Sequence, residues 1–151
     1  MSTRQYMPAV VRNLSLPVIA SPLFIVNYPE LVLAQCKASI VDSFPALNAP
    51  RPAEMLDGWL SRIGDELDAY REANPNATIG PLAVNRIVHH PNSRLAQDVQ
   101  TCTRRRVPIF VASLRAPPRD VIDAVHGHGA PGGRSDARYS KRRRGRFTAT
   151  S

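Results

Sequence analysis

The sequence predicts an α/β protein built on a parallel sheet. Three observations carry that expectation. Four short apolar runs read as strands, a stretch of helical spacing follows each of them, and Pro, Asn and Gly clusters separate the segments. Apolar strands alternating with amphipathic helices indicate parallel pairing with right-handed crossovers. Four such units suit either an open doubly wound sheet or half of a (β/α)8 barrel. A length of 151 residues suits one domain, and an apolar fraction of 43% is enough for a core.

Residues 1–15 read as an irregular lead-in whose Val10 and Val11 cover one end of the domain. The first strand is Pro17-Val18-Ile19-Ala20, within the stretch LPVIASPLFIVNY that organises the rest of the chain. Ser21-Pro22 ends it, and a second apolar run leads to Pro29. Residues 29–38 are a helix, with Pro29 in the first turn, where its missing N–H is not needed. Leu31, Ala34, Gln35 and Ala38 follow helical spacing, widened by Leu33 and Cys36.

The second strand starts at Ile40-Val41 and runs to Phe44, where Pro45 stops it. Residues 45–53 are a proline-broken loop. The longest helix runs from Pro52 to about Ala73, with Leu56, Trp59, Leu60, Ile63, Leu67 and Tyr70 on one face. Asp57, Asp65, Glu66, Asp68, Arg71 and Glu72 take the other face. Asn74-Pro75 closes it. The third strand is residues 81–85, extending towards Val88. Residues 89–92 are a turn, and a helix follows over 93–105 with Leu95, Val99 and Cys102 inward. The fourth strand is Val107–Ala112. Ser113–Pro118 is a loop before a short helix through Val121, Ile122 and Val125.

The net charge of +8 is unevenly placed. Residues 127–151 hold seven basic residues against Asp136, a balance of +6, so the first 126 residues carry the remaining +2. That tail lacks apolar periodicity and is rich in Gly, Arg and Ser, a composition that cannot offset chain entropy, so residues 130–151 are predicted to be disordered. Its KRRRGR cluster, flanked by Tyr139 and Phe147, has the chemistry to bind phosphate and stack on bases. No nucleic-acid-binding fold accompanies it, and a solvated tail is the expected state.

Cys36 and Cys102 match no metal-ligand or redox spacing. No signal-length or membrane-length apolar segment occurs, so a cytoplasmic protein with reduced thiols is expected. GHGAPGG lacks the Gly-Lys-Ser/Thr ending of a phosphate loop, and neither a Gly-x-Ser-x-Gly elbow nor a His-Glu-x-x-His metal motif is present.

The blocks LSLPVIASPLFIV, YPELVLAQCKA, SFPALNA, RPAEMLD, GPLAVN, VPIFVASLRAPP and VIDAVHGHG resemble, in that order, the N-terminal half of nitronate monooxygenase, also called 2-nitropropane dioxygenase. The resemblance covers roughly residues 10–129. It implies a TIM (β/α)8 barrel fold, here a truncated half-barrel of four units, since a whole barrel takes about 250 residues. It also implies FMN as cofactor, with alkyl nitronates and O2 as substrates, giving carbonyl compounds and nitrite.

From the same resemblance, the backbone of Ala20, Ser21, Pro22 and Leu23 would lie against the flavin ring. Asn85 would hydrogen-bond its polar edge, and Ser113 would line the same mouth. Strand ends are where such barrels build sites. Read from its residue type alone, Asn85 serves equally as a strand-end cap. No catalytic residue is assigned: the family's histidine lies in a later block, and His89, His90, His126 and His128 do not match it. Flavin-dependent quinone reduction on the same barrel remains an alternative activity.

The chain departs from the family at several places. Ser39 and Asp42 stand where Gly is expected, Pro50 reads as an insertion, and Arg86 replaces an expected Gln. Asp42 and Arg86 are expected to alter the substrate side of the flavin. From about residue 130 the text leaves the family pattern, as a frameshift or aberrant gene end would produce. A half-barrel leaves the first and fourth strands as open edges, which favours self-association.

Overall fold

The computed structural model describes residues 9–51, 54–87, 94–113 and Arg119. Its elements are helix α1 (Ala9–Arg12), helix α2 (Pro29–Lys37), strand β1 (Asp42–Pro45), a 3-10 turn (Ala46–Asn48), helix α3 (Glu54–Ala73), strand β2 (Leu82–Ile87), helix α4 (Leu95–Arg104) and strand β3 (Ile109–Ser113). The three strands form one parallel sheet in the order β1-β2-β3. The architecture is thus α/β with a small open parallel sheet.

Alternation along the strands sorts the core into two faces. Phe44, Leu82 and Val84 point towards the helices and join Val32, Leu33, Leu56, Leu60, Ile63 and Cys102 in the larger cluster. Val41 and Ala83 point the other way, where Leu14 covers them with help from Val11, Ile109 and Val111. α1 and Leu14 therefore close one end of that second face, within the lead-in predicted to be irregular.

α3 follows its predicted stripe: Leu56, Leu60, Ile63 and Leu67 are buried, while Trp59 and Tyr70 are half-buried at its rim. Trp59 packs against Phe44 and Tyr28 with ring centroids 6.1 and 5.6 Å apart. α2 turns a different face inward from the predicted one. Pro29, Val32, Leu33 and Cys36 are buried, whereas Ala34 and Ala38 are exposed. The larger side chains Val32 and Leu33 bury more apolar area than the alanines would, and that sets the rotation. On α4, Val99 and Cys102 are buried as predicted.

The first predicted strand is reduced to one parallel bridge, Ile19 to Val41. Ala20 N–H donates to Val41 O at 2.8 Å, and Val41 N–H donates to Val18 O at 3.2 Å. Pro17 and Pro22 have no N–H to give, so the ladder has little length to grow. β1 starts later than predicted and keeps Pro45, which pairs with Asn85. β2 runs two residues past Asn85, and Ser113 is the last residue of β3 rather than the first of a loop.

Two tight junctions fix the crossover from α2 to the sheet. Ser39, just past α2, has φ 64, the left-handed conformation in which Gly is the usual residue. Its Oγ accepts the Ser15 N–H at 3.0 Å, which offsets the strain. A Cβ on Gly80 would sit 1.8 Å from the Ile40 carbonyl oxygen, so only Gly fits there. Gly80 N–H donates to Cys36 O at 2.8 Å. The predicted turn at 89–92, the helix from Pro118, the four histidines and the tail lie outside the described residues.

Candidate functional site

The site region is the end of the sheet towards which all three strands run. Ala20–Leu23 leaves the bridged segment and is held beside β1 by three polar side chains. Ser43 Oγ donates to Ala20 O. Asn27 Oδ1 accepts the Leu23 N–H at 3.1 Å, while its Nδ2 donates to Ser43 O at 3.1 Å and to Asp42 Oδ1 at 3.4 Å. Asn48 Nδ2 donates to Leu23 O at 3.0 Å and to Asn27 O at 3.2 Å, and its Oδ1 accepts the Ile25 N–H at 3.2 Å. A loop with little buried apolar area of its own is thus fixed by side-chain bonds that replace a ladder. Ile25 has φ 71, a strained conformation for a β-branched residue that this bracing supports.

The second half of the site is a pair on neighbouring strands. Ser113 Oγ donates to Asn85 Oδ1 at 3.0 Å and reaches Arg86 O at 3.4 Å. Accepting at Oδ1 fixes the carboxamide, so Nδ2 is its donor end. Asn85 is buried and Ser113 half-buried. Asn85, like Ala83, is on the face away from the helices. Ala20 and Ser21 are small, and Pro22 has no N–H. The bridged segment and β2 flank β1, so the loop and Asn85 come from segments two positions apart across the sheet.

The structure places Asp42 and Arg86 differently from the expectation that they would face the substrate side. Both point to the helix-covered face. Asp42 is fully buried against Asn27 and Cys36, and its Oδ2 has no hydrogen-bond partner. Burial raises its carboxyl from the ordinary 3.8 to about 6. Arg86 is buried over α4, 4.0 Å from Asp98, which Arg94 approaches at 3.6 Å. Burial lowers the Arg86 pKa and raises that of Asp98, the nearby guanidiniums pulling the carboxyl back down. Strand parity dictates this placement: Asp42 shares the face of Phe44, and Arg86 that of Leu82 and Val84.

Neither thiol is suited to nucleophilic work. Cys36 and Cys102 are free and buried, and burial pushes each up to about 12. Among the described residues, no group of three His, Cys, Asp or Glu side chains is placed to hold a metal ion. None of the described helices is long and apolar enough to cross a membrane.

Sequence reasoning missed Asn27, Ser43 and Asn48, which position the loop. Their signal was available: each is a polar residue inside an apolar block, and a buried polar group needs a bonded partner. No protein-family model matches the chain, and neither a curated protein nor a solved structure matches it.

Proposed function

We propose that this chain is the ring-binding half of an FMN-dependent barrel of the nitronate monooxygenase type, its four β/α units forming half of a (β/α)8 barrel. The observation that carries the reading is the braced Ala20–Leu23 loop together with the fixed Asn85 carboxamide on β2. The ordered sequence blocks described above support it independently.

The residues fit the ring of FMN. A flavin needs a close wall on one ring face and a few polar groups along its edge. The backbone of Ala20, Ser21, Pro22 and Leu23 supplies the wall. Asn85 Nδ2 supplies a donor for the pyrimidine edge, and Ser113 holds that amide in orientation. FMN, when bound, supplies the redox chemistry that takes electrons from a nitronate and passes them to dioxygen. The contribution of this chain is to bind and orient the ring. None of its described residues is assigned as a base.

The test is the visible spectrum of the purified chain after incubation with excess FMN and desalting. A retained flavin spectrum, lost in Asn85→Ala, is the expected result. A colourless protein with native far-UV circular dichroism overturns the reading.

A further inference from the structure

The 16–28 segment turns its apolar side chains outward. Leu16, Ile19, Leu23, Phe24, Ile25 and Val26 are between 47 and 64% exposed. Their exposed surface is on the order of 600 Å², at the upper end for a patch on a monomeric protein. No charged side chain interrupts residues 16–28. A flat ligand on Ala20–Leu23 would leave Leu16, Ile19 and the 24–26 turn uncovered.

Among the described residues the sheet is open on both sides as well. The bridged segment uses one edge against Val41, and nothing among the described residues pairs with the far edge of β3. Every residue of β3 is half-exposed, where a central parallel strand is buried on both faces. The described part of each chain therefore offers a first edge and a last edge that run in the same direction.

We propose that a second copy of this chain docks on the 16–28 apolar segment, the first edge of each copy meeting the β3 edge of the other about a two-fold axis. The two edges of one chain are then both satisfied by the same partner, which no single-edge partner does. All strands stay parallel under a two-fold axis along the strand direction. Counting the bridged segment, four strands from each copy make eight, the number at which a parallel sheet closes with side chains filling its interior. The apolar segment alone supplies most of the roughly 800 Å² per partner of a stable interface. The first 126 residues carry only +2 of the net charge, so body-to-body repulsion is small. This inference does not rest on the flavin reading.

The experiment is light-scattering mass across a concentration series on the full chain, beside Phe24→Asp and Ile25→Asp, with circular dichroism as the fold control. The expected result is a plateau at twice 16.6 kDa, with the dimer midpoint raised at least tenfold in both variants and their dichroism unchanged. Amide exchange in residues 18–20 and 109–113 is expected to slow above the wild-type midpoint. A monomer at every concentration, growth past the dimer without a plateau, variants that dimerise like wild type, or exchange that ignores concentration would each overturn the proposal.

Discussion

The Ser113 hydroxyl donates across the β2–β3 pair to the Asn85 carboxamide oxygen at 3.0 Å. That bond decides which end of the amide faces a ligand. Removing it by Ser113→Ala lets the amide turn, and a net hydrogen bond is worth about 1 kcal/mol. Flavin affinity is expected to fall about fivefold in Ser113→Ala and further in Asn85→Ala, read by quenching of flavin fluorescence. Equal affinity in all three proteins would remove Asn85 from the site.

Asp42 makes stability depend on pH. Its folded pKa of about 6 lies above the ordinary 3.8. The folded state therefore holds the proton more tightly. The stability from this group is present in full below pH 3.8 and is lost as pH rises through about 6. At about 1.4 kcal/mol per pKa unit the loss is on the order of 2–3 kcal/mol. Asp42→Asn keeps a partner for Asn27 and carries no charge. Urea unfolding should show the Asp42→Asn chain more stable than wild type by about 2 kcal/mol at pH 7.5 and by little at pH 4. A variant equally stable to wild type at both pH values would show that the carboxylate is solvated.

Ser39 holds two opposed effects. Its left-handed φ of 64 costs about 1 kcal/mol, and its bond from the Ser15 N–H returns a similar amount. Ser39→Ala keeps the strain and loses the bond, so a loss of about 1 kcal/mol is expected. Ser39→Gly loses both, so its stability should stay close to wild type. Thermal melts that rank Gly below Ala would contradict the balance.

Gly80 has no such compensation. Any side chain there meets the Ile40 carbonyl, so the α2 and β2 ends must part and the Gly80 N–H to Cys36 O bond with them. Gly80→Ala is expected to cost about 3 kcal/mol, at the upper end for overpacking. A loss below about 0.5 kcal/mol in denaturant unfolding would mean the junction is slack.

The parts legible from sequence were those with a strong period. α3 showed its buried face through Leu56, Leu60, Ile63 and Leu67, and the parallel β-α alternation gave the sheet its direction. The segment at 17–20 was less legible because apolar composition does not say whether a run is paired. Its prolines and outward side chains leave it one bridge. The α2 face was misread because small residues matched the helical period better than the larger ones that are buried. In the candidate site, Asn85 and Ser113 were named by the family resemblance and not by any signal of their own. Asn27, Ser43 and Asn48 were not named, because their work is in bonds to residues up to 25 positions away. The faces of Asp42 and Arg86 follow from strand parity once the inward neighbours are known.

The proposed site would hold the ring of a flavin through Ala20–Leu23 and Asn85. All the residues proposed to hold the cofactor would face its ring, so the phosphate should matter little. The most direct measurement is a fluorescence titration of the chain with riboflavin and with FMN, side by side. Saturable binding of both is expected, within about threefold of each other and weakened alike by Asn85→Ala, a factor below the 1.4 kcal/mol that a tenfold difference represents. Failure of both flavins to bind a folded chain would contradict the proposed site.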